Sequence, residues 1–432
     1  MNKCRILILA LIALAAHARG QALDPLLSGT DLWNTTQQTF VNDHRNWGFH
    51  WLSAAKDQAE TQWRGLTLFS GTVYQVDAAF NTGKLSALTV SIYNRGDAGD
   101  VNSDQWAALL KRAFAGLGAL TRTQWVDDGK EASDAVNAHA VEWRTPASRF
   151  LLEYSFTREI ATRNIPFRGE FVRLTVTPPE KPKSFMETAL ASATPQAAAF
   201  DGPSHVKTDP SGDVRLATVP MVDQGRKGYC VVASAERVLR YYGLPVDENE
   251  LAELANSSAT QGTSNAAMFD SLKKLANRLQ VRIRTLMDMD GNQLVALSND
   301  YDRIARREHQ PELPDPGAVQ SWSEFFGDMK PAILKEARTR NRAGLVRFQQ
   351  QVQDSINQGI PILWSVMLGI MPEAGIPPNA GGHMRLIIGY NTTTNEILYS
   401  DSWGPGHELK RMPADNAWSM TTAMNTIEPL ND

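Results

Sequence analysis

The stretch that decides the fold of this chain is Gln224-Gly-Arg-Lys-Gly-Tyr-Cys230-Val-Val-Ala-Ser234. The apolar spacing after Cys230 predicts a helix that begins there and ends before Gly243. A thiol at a helix N-terminus lies beside unpaired backbone N–H groups and the positive end of the helix dipole, and both favour the thiolate. The Gln224 side-chain amide and the backbone N–H of Cys230 can then bind one oxyanion, because the intervening glycines allow a close backbone approach.

A candidate general base follows much later in the chain. His383 opens a predicted strand after two glycines, and Asp401 ends the next predicted strand. Adjacent antiparallel strands place the start of one beside the end of the other, so we expect His383 and Asp401 to be neighbours, as a base and its orienting carboxylate must be. A lone cysteine, histidine or aspartate is usually structural. The occurrence of Gln224, Cys230, His383 and Asp401 in this order favours a site for nucleophilic catalysis.

The motifs Gln-Gly-x-x-Gly-x-Cys, His-x5-Gly-Tyr and Ser-Trp-Gly resemble those of the papain-like cysteine peptidases over residues 219–410. Within that group the aspartate at position 401 is similar in style to the bacterial C39-like peptidases. Papain itself differs, since it has a tryptophan at the position of Val231, a disulfide cysteine at that of Lys227 and usually an asparagine at that of Asp401. We therefore expect an amide at position 401 to keep substantial activity.

The resemblance implies a role for each motif residue. The nucleophile would be Cys230, the base His383, the orienting group Asp401 and the oxyanion donor Gln224. Trp403 matches the tryptophan that shields the histidine contact from water. The implied activity is hydrolysis of a peptide or protein substrate through a thioester intermediate, with no metal and no organic cofactor. Two alternatives stay open: a thiol acyltransferase such as a transglutaminase, and a catalytically silent papain-like binding module.

The sequence predicts an α+β protein in four segments. Strand-forming and amphipathic patterns place an accessory α+β domain before a papain-like domain with a helical half and an antiparallel sheet half, and contact between these two domains is expected. The predicted segments are a signal peptide (1–22), the accessory domain (23–178), a Pro/Ala-rich linker (179–218) and the papain-like domain (219–432), which carries a helical insertion (288–345).

The first residues have the pattern of a secretory signal. A basic start is followed by an apolar run over residues 6–16, and small-x-small cleavage patterns end at Ala18 and at Ala22. The apolar run is shorter than the roughly 20 residues that span a bilayer, so no stable membrane insertion is expected. The protein is predicted to be exported, either to the periplasm or to the medium. Cleavage would remove Cys4 and leave Cys230 as the one cysteine of the mature chain.

Composition excludes several classes of protein. Hydrophobic residues make up 42% and charged residues 21% of the chain, as in ordinary globular proteins. The net charge of −4 gives no basic footprint for nucleic acid or an anionic membrane. Two cysteines exclude a disulfide scaffold and a multi-cysteine zinc cluster. His44 and His50 lack a third nearby ligand in sequence, which disfavours a metal site there.

Overall fold

The computed structural model describes residues 21–430 except 53–54, 134–135, 137, 180–199, 226–227, 245, 247, 259–262, 320 and 379–380. Most of the predicted signal peptide and half of the predicted linker lie outside the described residues. The chain divides into two compact units, one of residues 1–186 with 257–262 and the other of residues 187–256 with 263–432.

The described residues of the N-terminal unit form two sheets and four α-helices. Its strands are β1 (Gln21–Ala22), β2 (His50–Trp51), β3 (Gln58–Thr61), β4 (Leu66–Leu68), β5 (Gly71–Thr72), β6 (Gln75–Asn81), β7 (Lys84–Asn94), β8 (Val126–Ser133), β9 (Ala138–Arg144), β10 (Arg149–Thr157) and β11 (Arg168–Thr177). The helices are α1 (Asp24–Leu27), α2 (Gln37–Asp43), α3 (Arg95–Ala98) and α4 (Ser103–Thr121), with 3₁₀ turns at Leu32–Asn34, Arg45–Trp47 and Ala161–Arg163.

One large antiparallel sheet organises this unit. Its strand order is β2-β3-β6-β7-β11-β10-β9-β8, and a smaller sheet has the order β1-β4-β5. Helix α4 packs against β9 and β11 and buries Trp106 and Leu117 in the core. The helix is capped by Asn102 in a reciprocal capping box with Gln105.

The short strand β1 overlaps the end of the predicted signal segment. Gln21 pairs with Leu66 and Ala22 with Thr67 in parallel register. The last two residues of that segment therefore belong to the smaller sheet. The pattern that ends at Ala18 is compatible with this pairing, whereas cleavage after Ala22 would remove the strand.

The C-terminal unit combines helices with a second large sheet. Its helices are α5 (Cys230–Tyr241), α6 (Glu248–Leu254), α7 (Asn265–Leu279), α8 (Gly291–Arg307), α9 (Trp322–Gly327), α10 (Pro331–Arg340), α11 (Arg342–Asn357) and α12 (Ala414–Met420), with a 3₁₀ turn at Gly202–His205. Its strands are β12 (Val206–Thr208), β13 (Asp213–Leu216), β14 (Val281–Asp288), β15 (Ile362–Leu368), β16 (Gly381–Asn391), β17 (Glu396–Ser400), β18 (Lys410–Pro413) and β19 (Thr421–Pro429). The predicted α+β class is confirmed.

The sheet of this unit is antiparallel and has the order β12-β13-β16-β15-β19-β14, with β17 paired to β16 and to β18. Strand β15 is buried along its whole length, as expected of a central strand. Helix α5 packs on β16. Gly389 lets β16 approach β13, because a Cβ there would lie 2.6 Å from the Val214 carbonyl oxygen. Strand β16 thus contacts β13, β15, β17 and helix α5, which fixes the position of the residues at its start.

The boundary before the predicted C-terminal domain differs from expectation. The linker prediction over 179–218 is wrong at its end, since β12 and β13 form a hairpin and β13 pairs with Asn391, Tyr390 and Gly389. The segment 288–345, predicted as a helical insertion, contains helices α8, α9 and α10. Tyr301, Ile304 and Leu334 are almost fully buried in the same hydrophobic core as the sheet. Among the described residues, no helix is long and apolar enough to cross a membrane.

Candidate active site

The candidate nucleophile lies where helix α5 begins. Cys230 is the first residue of that helix and is half-buried. Burial by itself would raise the pKa of the Cys230 thiol, but a hydrogen bond and the positive charge of His383 lower it, as do the backbone N–H groups of Met384 and Val231. The net effect is a lowered pKa, which favours the thiolate.

The histidine and the aspartate meet as the strand order predicts. Leu386 of β16 pairs with Ser400 of β17, so the start of β16 faces the end of β17. His383 Nε2 lies 2.6 Å from Asp401 Oδ1, and both side chains are buried. With Nε2 held by the carboxylate, Nδ1 is the ring nitrogen left for Cys230. Burial acts to lower the pKa of His383, but the hydrogen bonds to Asp401 and Cys230 outweigh it and raise the pKa to about 9.

Trp403 covers the histidine from one side. The two rings stack with centroids 4.7 Å apart and an interplanar angle of 23°. The chain turns directly afterwards at Gly404, which has φ of 74° and no room for a side chain, since a Cβ would lie 2.5 Å from Asp223 Oδ2. The Ser-Trp-Gly motif therefore places an aromatic ring on the imidazole and then turns the chain away.

Gln224 is tied to the residue that follows the aspartate. Its backbone N–H donates to the Ser402 carbonyl oxygen at 2.9 Å. The Ser402 hydroxyl donates to Gln224 Oε1 at 2.6 Å, and both residues are buried. The carboxamide is thereby oriented with its NH₂ group directed away from Ser402. Ser402 was not singled out from the sequence, although its place in the Ser-Trp-Gly motif was the available signal.

A buried arginine lies on the other side of the aspartate. Arg385 Nε donates to Asp401 Oδ2 at 2.8 Å, and Arg385 Nη1 lies 3.0 Å from both carboxylate oxygens of Glu373. Burial acts to raise the pKa of Asp401, but His383 and Arg385 outweigh it and hold that pKa below its usual value. Sequence reasoning missed Arg385. The signal was a charged residue within an apolar strand, two positions after His383 and thus on the same face.

The backbone of the aspartate is fixed by another buried arginine. Arg237 of α5 donates from Nη1 to the Asp401 carbonyl oxygen at 3.0 Å and from Nε to the Pro220 carbonyl oxygen at 2.7 Å. It also contacts the Ser400 hydroxyl. Arg237 therefore connects the helix that begins with Cys230 to the end of β17. The structure thus brings together all five predicted site residues. Asp401, Trp403 and Cys230 contact His383. Gln224 contacts Ser402, the residue that follows Asp401.

Among the described residues, no cluster of three metal-ligating side chains includes Cys230, His383 or Asp401. The side chains of Cys230 and Asp401 both bind the His383 ring instead.

A family model and two solved structures are similar to parts of this chain. The model of a family described as "Peptidase_C39 like family" matches residues 317–425. The predicted resemblance to the C39-like peptidases is confirmed over these residues. The matched stretch contains His383, Asp401 and Trp403 and begins after Cys230. No curated protein matches the chain.

Two solved structures are similar to parts of the chain. The peptidase domain of Streptococcus ComA, described as a bi-functional ABC transporter involved in a quorum sensing pathway, is 14% identical; the match covers 49% of this chain and 99% of that chain, with a TM-score of 0.25. Xylellain, a cysteine protease from Xylella fastidiosa, is also 14% identical; the match covers 52% of this chain and 88% of that chain, with a TM-score of 0.27.

Proposed function

We propose that this chain is an exported cysteine peptidase that hydrolyses peptide bonds through a Cys-His-Asp triad and a thioester intermediate. The observation that carries the proposal is the chain of contacts from Cys230 to His383 and from His383 Nε2 to Asp401. A buried structural cysteine behaves as a small hydrophobe and needs no imidazole partner. A thiol paired with an imidazole that is itself oriented by a carboxylate is the arrangement of an activated nucleophile.

The chemistry follows from the positions of these groups. The Cys230 thiolate attacks the substrate carbonyl carbon and forms a C–S bond. The imidazolium of His383 then gives its Nδ1 proton to the departing amine, and the C–N bond breaks. Water attacks the thioester with His383 as its base, which releases the acid and restores the thiol. Asp401 keeps the ring in the required tautomer throughout.

The oxyanion that forms during the attack needs donors. The NH₂ group of Gln224 and the backbone N–H of Cys230 are the proposed pair, supported by the contacts that orient the carboxamide from Ser402. The mechanism uses no metal and no organic cofactor. The proposed partner is a peptide or protein substrate, and the proposed location is the periplasm or the medium, on the strength of the N-terminal pattern.

The test is digestion of a peptide library by the purified protein, read by mass spectrometry. We expect Cys230→Ala and His383→Ala each to remove most hydrolysis and the double variant to lose little more, because each group is ineffective without the other. His309→Ala is the matched control, since His309 is an exposed histidine of the same unit. Losses that multiply in the double variant would contradict a shared thiolate–imidazolium pair.

The same preparation separates the two alternatives. Incorporation of an added amine into the peptide in excess of hydrolysis would identify a thiol acyltransferase. A Cys230 that reacts with iodoacetamide no faster than an ordinary cysteine, in a protein that cleaves no peptide, would identify a silent binding module. Cleavage together with fast, pH-dependent alkylation is the result that we expect.

A further inference from the structure

The buried charges of the site continue beyond Asp401. We propose that Arg385 is a positioning residue that fixes the Asp401 carboxylate beside His383, a role that rests on the proposed function. Glu373 in turn balances the charge of Arg385. Arg385 and Asp401 are both 0% exposed, and the Glu373 side chain is 9% exposed. Charges withdrawn from water to this degree are retained only where they are paired.

The two oxygens of the carboxylate have separate partners. Asp401 Oδ1 accepts from His383 Nε2 at 2.6 Å and from the Ser402 N–H at 3.0 Å, whereas Oδ2 accepts from Arg385 Nε at 2.8 Å. Rotation of the carboxylate would break contacts on both sides. Arg385 therefore fixes the orientation of the group that orients the histidine.

The Arg385 side chain is itself fixed by its strand and by contacts with Glu373 and the Tyr399 ring. Its position two residues after His383 on strand β16 places both side chains on the same face. Glu373, in the segment between β15 and β16, accepts from Arg385 Nη1 with both oxygens, and the Tyr399 hydroxyl donates to Glu373 Oε2 at 2.7 Å. The guanidinium lies 4.7 Å from the centre of the Tyr399 ring.

Charge alternates along this series of residues. From the thiolate to Glu373, the signs are negative at Cys230, positive at His383, negative at Asp401, positive at Arg385 and negative at Glu373. Other charged or titratable groups near Asp401 and His383 are Arg237, Asp223, His407, Glu408 and, against Trp403, Lys410. Unlike these groups, Arg385 contacts both the Asp401 side chain and a second carboxylate, that of Glu373.

The direction of the electrostatic effect can be worked out from these signs. Removing the negative charge of Glu373 makes the net charge around the site more positive, which lowers the pKa of both His383 and Cys230. Removing the positive charge of Arg385 has the opposite effect on both groups. A contact that served packing alone would change neither pKa in a charge-dependent direction.

The experiment measures the rate of Cys230 alkylation by iodoacetamide against pH in the full chain. Peptide mass mapping assigns the adduct to Cys230 rather than Cys4. We expect Glu373→Gln to move the rise in rate to lower pH and Arg385→Gln to move it to higher pH, each by roughly half a unit or more. The double variant should return close to the wild-type profile.

Matched controls remove a charge of each sign from the exposed ion pair of Glu312 and Arg306. Shifts of the same sign in Glu373→Gln and Arg385→Gln, or shifts no larger than in Glu312→Gln and Arg306→Gln, would overturn the proposal. If Arg385→Gln does not fold, the double variant decides: a profile displaced like that of Glu373→Gln alone would show that Arg385 does not transmit the effect.

Alkylation needs no substrate, so this test is independent of peptide cleavage. Opposite shifts in a protein that cleaves no peptide would support the positioning role and refute the proposed function. Cleavage by a wild-type protein whose variants show no opposite shifts would support the proposed function and refute the role of Arg385.

Discussion

Replacement of Asp401 by asparagine tests whether the candidate site needs a charged carboxylate at this position. Asp401 accepts hydrogen bonds with both oxygens, one from His383 Nε2 and one from Arg385 Nε. An amide has one acceptor oxygen and one donor NH₂ group, so one of these two N–H groups would face a donor. The resemblance to papain predicts that asparagine serves well at this position. The hydrogen bond from Arg385 leads us to expect the opposite here.

The magnitude follows from the charge-assisted hydrogen bond that asparagine cannot accept. A hydrogen bond to a charged group contributes about 1.5–3 kcal/mol, and each 1.36 kcal/mol in a barrier is about tenfold in rate. We therefore expect Asp401→Asn to reduce kcat/KM by roughly ten- to a hundredfold or more. The carboxylate helps to raise the pKa of His383 from 6.5 to about 9. Its loss should move the alkaline limb of the pH–rate profile down from about 9 toward 6.5.

The assay is kcat/KM against pH on one cleaved peptide, with circular dichroism to show that the variant is folded. Asp401→Asn combined with Arg385→Gln is the informative partner, because the asparagine NH₂ can then donate to the glutamine carbonyl while its oxygen accepts from His383. We expect the double variant to be more active than Asp401→Asn alone. A folded Asp401→Asn with wild-type activity and an unmoved alkaline limb would refute the reasoning.

Three further outcomes are expected. Ser402→Ala removes the donor that orients the Gln224 carboxamide, so steady-state kinetics should show kcat reduced by about ten- to a hundredfold with KM little changed; an equal loss in KM would contradict an oxyanion role. If the chain is processed as proposed, N-terminal sequencing should show cleavage after Ala18 rather than Ala22, since Gln21 and Ala22 form β1; a chain that starts after Ala22 would contradict it. Thermal unfolding should show that the stability contributed by the raised pKa of His383 is complete below pH 6.5 and is lost as the pH rises through about 9; His383→Ala should lack this dependence, and a variant that keeps it would contradict the assignment.

The placement of Cys230, His383 and Asp401 was predictable because each depends on short-range pattern. Apolar spacing after Cys230 locates the helix start, and two consecutive strands locate the histidine–aspartate contact. Their antiparallel pairing was the one long-range assumption, and the register of Leu386 with Ser400 agrees with it. Gln224 was predictable for the same reason, since it lies a few residues before the helix.

Other parts of the fold gave weaker signals. Strands β12 and β13 have three and four residues, too few for periodicity to show, and the turn between them reads like a linker. The edge of the sheet, where Val214 meets Tyr390, is set by a contact between distant parts of the chain. Glu373 lies in a segment without regular structure, so nothing in its local sequence indicates that it binds Arg385. Such contacts are decided by tertiary packing rather than by propensity.

The series from Cys230 to Glu373 also explains how an aspartate can occupy a position where papain has an asparagine. A carboxylate close to a thiolate would by itself raise the pKa of the thiol and so disfavour the nucleophile. Arg385 adds a positive charge 2.8 Å from the same carboxylate and so offsets this effect, although Glu373 binds another nitrogen of the same guanidinium. The pair of Asp401 and Arg385 therefore takes the place of one asparagine. On this reasoning neutralising one member is harmful and neutralising both is tolerated, which is why the double variant, rather than either single one, decides between a charge-balanced pair and two independent contacts.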